Sequence, residues 1–277
     1  MERLFEFWKN PPVTTSEELD DRLAPFEFPV HFAYHSGKIE NERISYRDTK
    51  SIFERDAVVG YTGDLRTLYE TRNLRDAWNW MRDQVIKKTP VTESFILDLH
   101  RITMRDCYDR VRSNDNGEEP GTYKKRHYVV GPNETGAHPD DAREEMQNLL
   151  DEIADFITEV ARDDDYRNRS ENKLSAVAYF HCRFENIHPF ADGNGRVGRL
   201  LLNYLLMALD LPPLNIAFDT REQYYEALER YNTDEEIAPM KNFLVGSMER
   251  TWRHILKSQR PASKDQYVPL TKNSSNA

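Results

Sequence analysis

The strongest constraint on the fold is a pair of apolar helical patterns separated by a short polar break. Ser170 is suited to cap a helix, and apolar residues recur at helical spacing from there to Phe184. Pro189 and the small or polar residues after it interrupt the pattern. A second apolar pattern begins near Asn194 and continues to Asp210. Because both helices must bury apolar faces against other elements, a mainly α-helical core around this pair is predicted.

Further helices are predicted on both sides of this pair. Thr15 and Glu18 fit a capping box, in which each side chain accepts the backbone amide of the other residue. Apolar residues at helical spacing predict helices over residues 64–87, 92–104, 140–162, 222–232 and 236–256. The segment 122–130 differs, because its β-branched and aromatic residues lie between turn-forming residues and predict a short strand or hairpin.

Composition and charge exclude several classes of protein. The chain has 277 residues and a formal net charge of −10, which argues against non-specific binding to nucleic acid. No apolar run approaches the roughly 18 residues that a membrane-spanning helix needs, and residues 1–10 lack the apolar stretch of a signal peptide. Cys107 and Cys182 lie within apolar helical patterns, which predicts two buried reduced thiols. We therefore expect a folded cytoplasmic protein that neither enters a membrane nor binds nucleic acid directly.

The polar break and the start of the second helix carry the residues with the clearest chemistry. The free amides of a first helical turn and the helix dipole favour an anion at this position. Gly193 and Gly195 allow a phosphate to approach the backbone closely, and Arg196 and Arg199 lie on one face of the helix. Guanidinium groups bind phosphate oxygens in two-point contacts. The segment therefore predicts a phosphate site.

Two more residues of the break extend this prediction. Asp192 offers a hard oxygen ligand, and Mg²⁺ is typically held by one or two carboxylates together with substrate phosphates. His188 precedes the phosphate site and could take a proton from an attacking hydroxyl. Taken singly, these features have plainer interpretations as a packed histidine, a turn and a solvated arginine pair. Together they predict transfer of a phosphoryl or nucleotidyl group.

The segment His188 to Arg199 has the sequence HPFADGNGRVGR and resembles the Fic-family motif HPFx(D/E)GNGRxxR at every specified position. The similarity extends over residues 36–243. It implies a helical bundle with a small β-hairpin flap over the active site and an N-terminal helical extension. On this basis, residues 1–60 form the N-terminal segment, residues 61–256 the catalytic core and residues 257–277 a polar tail.

The resemblance also implies roles for individual residues. His188 is expected to be the general base, and Asp192 the ligand of Mg²⁺ or Mn²⁺. The implied nucleotide-binding residues are the anion hole Gly193, Asn194 and Gly195, the phosphate ligands Arg196 and Arg199, the loop anchor Phe190, and Tyr224, Tyr225 and Asn232 around the adenine or ribose. The two tyrosines could equally be core residues at the start of a helix.

The segment 122–130 corresponds to the flap of the family, which in relatives pairs with an extended segment of the target protein. The residues implied to bind a target are Tyr123, Lys124, Lys125, Arg126, His127, Tyr128, Val129 and Val130. Relatives often have arginine where this chain has Lys124, which leaves a phosphate or target contact at that position open. The alternative is a solvated hairpin whose charges prevent aggregation through its edge.

The segment Ser36 to Asn41, SGKIEN, resembles the inhibitory motif (S/T)xxxE(G/N) of the family and lies ahead of the catalytic core. The resemblance implies that Glu40 pairs with Arg199 and so deprives the γ-phosphate of its partner. ATP would then bind with its α-phosphorus poorly aligned for attack. Alternatively, Ser36 and Glu40 are part of an ordinary exposed helix turn.

The resemblance as a whole implies an autoinhibited transferase that moves AMP from Mg-ATP to a serine, threonine or tyrosine hydroxyl of a target protein. Removal of AMP at the same site, self-modification and assembly of identical copies are compatible with it. One alternative is a Fic-type kinase or phosphocholine transferase, although the intact Gly195 favours adenylylation. Another is a nucleotide-sensing module without transfer, against which the intact His188 argues.

Overall fold

The chain is mainly helical, as the apolar patterns predict. The computed structural model describes residues 1–128, 136–162 and 170–257, and no strand occurs in these ranges. The helices are α1 Glu2–Lys9, α2 Ser16–Leu23, α3 Phe28–Glu40, α4 Tyr46–Arg55, α5 Leu65–Lys87, α6 Glu93–Met104, α7 Ala142–Arg162, α8 Ser170–Ile187, α9 Asn194–Ala208, α10 Arg221–Asp234, α11 Ala238–Thr251 and α12 Arg253–Lys257. Short helical turns cover Ala24–Phe26, Val111–Asp115 and Phe218–Thr220.

Helix α9 is the central element of the bundle. All of its residues from Asn194 to Met207 are buried except Gly195. A helix that is buried on nearly every side must be enclosed by other elements, and α3, α5, α6 and α8 enclose α9 here. Each fully buried leucine contributes about 1.5–3 kcal/mol relative to an exposed one. This burial fixes the N-terminus of α9, where the polar motif lies, in the interior of the bundle.

Helix α3 shares the same core. Phe28 and Phe32 pack against Trp78 of α5 with ring centroids 5.2 and 5.1 Å apart. Near the other end of α3, a Cβ atom on Gly37 would lie only 2.7 Å from Cδ1 of Ile44. The same atom would lie 3.2 Å from Cδ1 of Leu74 in α5, so the second half of α3 also packs closely against the bundle.

The strand predicted over residues 122–130 is wrong for residues 122–128. This segment is irregular because its backbone amides donate to partners other than a neighbouring strand. The Lys124 amide donates to the carbonyl oxygen of Pro189 at 2.9 Å, and the Lys125 amide donates to a carboxylate oxygen of Glu118 at 2.8 Å. The segment is thereby attached to the motif loop and not to a second strand.

Two local signals show how far helix boundaries follow from sequence. The capping box is confirmed, since Thr15 Oγ1 accepts from the Glu18 amide and the Glu18 carboxylate accepts from the Thr15 amide, both at 3.2 Å. The helix predicted over residues 236–256 is instead divided into α11 and α12 at Trp252. The buried indole of Trp252 donates to the carbonyl oxygen of Pro213 at 2.7 Å, a distant contact that local periodicity does not reveal.

Cys107 and Cys182 are buried free thiols, as predicted. Burial raises the pKa of Cys107 to about 11 and that of Cys182 to about 12, so both thiols are protonated at neutral pH. Among the helices of the described residues, none has the length and apolar character needed to cross a membrane.

Candidate functional site

Residues 188–193 form a loop that leads from α8 into the buried N-terminus of α9. His188 begins the loop with a φ of 49°, in the left-handed region where helices commonly end. Gly193 completes it with a φ of 85°, and a Cβ atom there would lie 2.5 Å from the sulfur of Met104. Glycine suits both the backbone conformation and the close contact. The loop therefore leads directly to the first-turn amides of α9, which have no intrahelical acceptor.

Asn194 closes this loop with its side chain. Its Oδ1 accepts from the Phe190 amide at 2.9 Å, and its Nδ2 donates to the Phe190 carbonyl at 2.8 Å. Phe190 is fully buried and stacks on the imidazole of His100, with ring centroids 3.8 Å apart. Phe190 thus packs as a loop anchor. Because the Asn194 side chain is used inside the loop, the group that this residue can turn toward an anion is its backbone amide.

His100 belongs to the site, although the sequence analysis did not single it out. Its Nδ1 accepts from the Gly121 amide at 2.8 Å, so the proton lies on Nε2, which faces the Asp192 carbonyl oxygen at 3.0 Å. Burial lowers the pKa of His100 to about 3, which keeps the ring neutral. His100 therefore connects α6 to the backbone of Gly121 on one side and to the motif loop on the other. A histidine within the apolar pattern of residues 92–104 is the sequence signal that could have indicated it.

The His188 imidazole is mostly enclosed by protein. Burial lowers the pKa of His188 to about 4, the charge of Lys124 acts in the same direction, and the Glu185 backbone carbonyl opposes both. The imidazole is therefore neutral at pH 7 and able to accept a proton. A Cβ atom on Gly136 would lie 2.7 Å from Cβ of His188 and 3.0 Å from Nζ of Lys124, so both side chains flank Gly136.

Asp192 lies at the mouth of the loop, with 21% of its side chain exposed. Its Oδ1 accepts from the Gly193 amide at 2.7 Å and from Arg196 at 3.1 Å, and its Oδ2 accepts from Arg66 at 2.9 Å. Burial acts to raise the pKa of this carboxyl, but the charges of Arg196, Arg112 and Arg66 outweigh burial and hold the pKa below its ordinary value. Asp192 is therefore ionised at neutral pH.

The ionised oxygen atoms of Asp192 are the ligand type that Mg²⁺ and Mn²⁺ prefer. The described parts of the chain contain no group of three or more His, Cys, Asp or Glu residues that could hold a metal ion by themselves. A single carboxylate suits a magnesium ion that takes its other ligands from phosphates and water. The site therefore fits a metal that binds jointly with a nucleotide, provided that the contact between Asp192 and Arg66 opens.

Arg196 is buried between two carboxylates. Only 3% of its side chain is exposed, and its guanidinium lies 3.1 Å from Asp192 and 3.2 Å from Glu70. Burial acts to lower the pKa of Arg196, but Asp192 and Glu70 outweigh burial, so the group stays charged. Through these contacts Arg196 holds the Asp192 carboxylate in place. Its contact with a phosphate stays a prediction.

Arg199 is bound to the last turn of α3. Its Nη2 donates to Glu40 at 2.8 Å and to the Ser36 carbonyl at 2.9 Å, and its Nε donates to the Ser36 hydroxyl at 3.0 Å. The Arg199 side chain is 2% exposed, whereas that of Glu40 is 35% exposed. A Cβ atom on Gly195 would lie 2.5 Å from Oε1 of Glu40. The Glu40 carboxylate thus occupies the space over the first turn of α9.

The three residues predicted to surround the adenine or ribose lie in different environments. Tyr224 is 1% exposed, and its hydroxyl lies 2.9 Å from Nε2 of His181, which makes it a core residue. Tyr225 is 46% exposed. Asn232 accepts a hydrogen bond from Asn186 at 2.9 Å and lines a recess of about 300 Å³. Tyr225 is thus exposed, Asn232 lies at the edge of the recess, and Tyr224 is buried.

The predicted flap residues divide into two groups. The Tyr123 ring lies over Phe190 with centroids 6.0 Å apart, and Lys124 is 3% exposed. The solvent-facing residues are Lys125, Arg126 and His127. Tyr128 donates to Glu118 at 3.0 Å. Val129 and Val130 lie outside the described residues. The structure therefore brings Tyr123 and Lys124 to the motif loop and leaves the next three residues at the surface.

The sequence of the site region matches a known family. Residues 90–206 match the pattern of the Fic/DOC family. Three curated proteins are similar to the chain, each named protein adenylyltransferase Fic. The Drosophila willistoni protein is 30% identical over 231 residues, which are 83% of this chain and 42% of that protein. The Drosophila persimilis protein is 29% identical over 231 residues, 83% and 41% of the two chains. The Nematostella vectensis protein is 29% identical over 219 residues, which are 79% of this chain and 46% of that protein.

The chain therefore spans less than half the length of these three relatives.

Solved structures show the same fold. A Fic domain containing signaling protein from Bacteroides thetaiotaomicron has a TM-score of 0.75 and 24% identity, covering 93% of this chain and 95% of that one. Fic-1 from C. elegans has a TM-score of 0.69 and 22% identity, covering 93% and 70%.

Proposed function

We propose that this chain, whose residues 90–206 form a Fic/DOC family domain, transfers AMP from ATP to a hydroxyl side chain of a target protein. One arrangement carries the proposal. A neutral His188, an ionised Asp192 and the first turn of α9 all belong to a single buried loop and helix start. The name shared by the curated relatives supports the same reaction.

In the proposed reaction, a serine, threonine or tyrosine hydroxyl of the target attacks the α-phosphorus of ATP. His188 accepts the proton of the hydroxyl as the new oxygen–phosphorus bond forms. The bond from the α-phosphorus to the oxygen that bridges it to the β-phosphate breaks, and pyrophosphate leaves with the electron pair. The enzyme must therefore hold the triphosphate in line with the incoming hydroxyl.

The start of α9 is proposed to align the triphosphate. The backbone amides of Gly193, Asn194 and Gly195 would face the α- and β-phosphates, and Arg199 would hold the γ-phosphate. Removing one preorganised donor at such a site typically lowers turnover by about 10²–10³. The rigid loop around Phe190 supports this assignment, because it holds these amides in place before a nucleotide arrives.

Asp192 is proposed to hold a Mg²⁺ or Mn²⁺ ion together with the nucleotide phosphates. When bound, such an ion neutralises phosphate charge and favours departure of pyrophosphate. The Gly193 amide and Arg196 orient the carboxylate through its Oδ1. Oδ2 is then the oxygen that can change partner.

Glu40 is proposed to inhibit the transfer. It neutralises Arg199 and occupies the space over Gly195, so a γ-phosphate would lose its partner and meet a carboxylate. A charge-assisted hydrogen bond of this kind contributes about 1–3 kcal/mol, which corresponds to roughly one to two decades in rate. The N-terminal segment 1–60, which contains α3, is thus proposed to regulate the catalytic core of residues 61–256.

The partner is proposed to be a protein with an accessible hydroxyl. Among the described flap residues, Tyr123 and Lys124 contact the motif loop, and the exposed Lys125, Arg126 and His127 would meet that protein first. The same chemistry would allow self-modification. The two free cysteines support a cytoplasmic location.

The proposal is tested by incubating the chain and a cell lysate with ATP that carries a radioactive label at either the α or the γ position. The Glu40→Gln variant is included to relieve inhibition, and Glu40→Gln with His188→Ala serves as the matched inactive control. Protein-bound α label that depends on His188 is expected. Protein-bound γ label would instead identify a kinase, and nucleotide binding without any labelled protein would identify a sensing module.

A further inference from the structure

Arg66 contacts two carboxylates, those of Asp192 and Glu70, which also share Arg196 as a partner. Arg66 lies near the start of α5. Its Nη2 donates to Oδ2 of Asp192 at 2.9 Å, and its Nε donates to Oε1 of Glu70 at 3.1 Å. The Arg66 side chain is 34% exposed, while that of Glu70 is 6% exposed. Arg66 lies 126 positions from Asp192 in the chain and outside the motif at residues 188–199.

Both oxygens of Asp192 already have partners. Oδ1 is held by the Gly193 amide and Arg196, and Oδ2 is held by Arg66. A third guanidinium, that of Arg112, lies 4.0 Å from Oδ2. Three positive groups around a single carboxylate repel a divalent cation that approaches without accompanying negative charge.

The two arginines that contact Asp192 differ in freedom. Arg196 is 3% exposed and enclosed by the core, so leaving Asp192 would strand a buried charge. Arg66 reaches solvent and keeps a second partner in Glu70 if it leaves Asp192. Glu70 itself is fixed by Asn41 at 3.0 Å and by Arg196 at 3.2 Å. Arg66 is therefore the cation that can exchange.

We infer that Arg66 is a positioning residue that occupies Oδ2 of Asp192 until a nucleotide arrives, so that a divalent metal ion binds with the nucleotide and not before it. The inference rests on the proposed assignment of Asp192 as the metal ligand. The phosphates bring the negative charge that offsets Arg66 and Arg112, and the metal then replaces the guanidinium on Oδ2. Arg66 keeps its contact with Glu70, which lies one helical turn further along α5.

The experiment measures the affinity of the full chain for Mn²⁺ by electron paramagnetic resonance of the free ion, with and without a non-hydrolysable ATP analogue. The test variant is Arg66→Gln, which removes the charge and keeps much of the length. The matched control is Arg82→Gln on the same helix, because Arg82 also joins two carboxylates, Asp20 and Asp83, away from the site.

Arg66→Gln is expected to raise the nucleotide-free affinity for Mn²⁺ by about tenfold, because one adjacent positive charge is removed. Because Arg66 has already left Asp192 in the nucleotide complex, the affinity for Mn²⁺ there should not change, so the factor by which the analogue improves Mn²⁺ binding should shrink by the same amount. Arg82→Gln should leave both values unchanged. An affinity in Arg66→Gln equal to or below that of the wild type would overturn the inference. If Arg66→Gln does not fold, Arg66→Met replaces it, because it also removes the charge and keeps much of the length, and the same absence of a gain in that variant is equally contradictory.

Adding Asp192→Asn to Arg66→Gln should abolish the gain. A gain that survives this second change would also overturn the inference and would locate the error in the metal ligand. The readout does not depend on AMP transfer. A chain that transfers no AMP but shows the Mn²⁺ pattern would contradict the proposed function alone, and a chain that transfers AMP without the pattern would contradict this inference alone.

Discussion

The motif loop and the C-terminal end of α3 meet over the first turn of α9, but different kinds of contact hold them there. The loop is held by buried bonds, in which Asn194 encloses Phe190 and Phe190 stacks on His100. The end of α3 is held by the pair of Glu40 and Arg199, in which Glu40 is 35% exposed. Disrupting the loop leaves buried groups unsatisfied. Arg199 is 2% exposed, so Glu40 leaves it at low cost only when another anion, such as a phosphate, takes the place of the carboxylate. Under the proposed function, the loop is thus the rigid half of the site and the end of α3 is the half that a nucleotide can release.

The largest expected effect comes from removing the base within the rigid half. In the Glu40→Gln background, His188→Ala should lower the single-turnover rate of α-label transfer by about 10²–10⁴, while nucleotide affinity and the free energy of unfolding change little. His138→Ala, at an exposed histidine, is the matched control and should keep the rate. Equal rates for His188→Ala and its parent would exclude His188 as the base.

The next largest effect should follow from loosening the loop. Asn194→Ala leaves the buried amide and carbonyl of Phe190 without partners, so the free energy of unfolding should fall by about 1–3 kcal/mol and α-label transfer by about 10². Asn203→Ala is the control, because Asn203 lies on the same helix and its side-chain amide also bonds to two backbone groups. Its Nδ2 donates to the Arg199 carbonyl and its Oδ1 accepts from the Leu214 amide.

Denaturant unfolding and transfer rates of the two asparagine variants separate stability from positioning. Both should lose similar stability, and only Asn194→Ala should lose most of its transfer rate. Equal losses of rate in the two variants would mean that the loop has no special rigidity.

Releasing the inhibitory half should have an effect of the opposite sign. Glu40→Gln keeps the shape of the side chain and removes its charge, so α-label transfer should rise by about 10- to 100-fold. Glu42→Gln changes a neighbouring exposed carboxylate that pairs with Arg221 and should leave the rate unchanged. If Glu40→Gln folds and binds ATP but labels no more protein than wild type, the segment Ser36 to Asn41 is an ordinary helix turn without an inhibitory role.

The smallest expected effect concerns the acid side of the pH profile. Burial holds the pKa of His188 at about 4, and the charge of Lys124 contributes to the lowering. The base form persists above that pKa, so transfer by Glu40→Gln should stay nearly constant from pH 8 to pH 6. Lys124→Met removes a charge that repels the imidazolium, so the pKa of His188 should rise and the rate at pH 5 should fall by up to about twofold.

Lys124 itself has its pKa lowered by burial to about 8, so it is charged throughout the acid range of this measurement. The control is Lys125→Met, at a neighbouring exposed lysine that does not contribute to the pKa of His188. An acid limb that stays in place in Lys124→Met would show that Lys124 does not contribute to the lowered pKa of His188.

The sequence predicted the parts of this account that are local or that belong to a dense motif. Helical periodicity located the long helices, and Thr15 with Glu18 marked a helix start. The resemblance of residues 36–41 and 188–199 to two family motifs anticipated the contact between Glu40 and Arg199, although 159 positions separate them. Two short motifs of one family can therefore predict a contact between residues that are far apart in the chain.

The remaining features depend on contacts that leave no local pattern. Arg66 is one of many arginines in a helix, and its contact with Asp192 spans 126 positions. His100 is a polar residue in an apolar pattern, and its contact with Asp192 spans 92 positions. For Tyr224 and Tyr225, spacing alone does not tell which of two adjacent tyrosines faces the core. Residues 122–128 look like a strand by composition, but their amides bond to Pro189 and Glu118.

The most direct test of the central claim is a double-mutant cycle on the pair of Glu40 and Arg199, read as the rate of α-label transfer to protein. If Glu40 inhibits by binding Arg199, Glu40→Gln should raise transfer about 10- to 100-fold, and Arg199→Ala should lower it. The double variant should transfer far less than Glu40→Gln, because the freed guanidinium is then absent, and the two effects should be strongly non-additive. A double variant that is as active as Glu40→Gln, with ATP binding intact, would contradict the account.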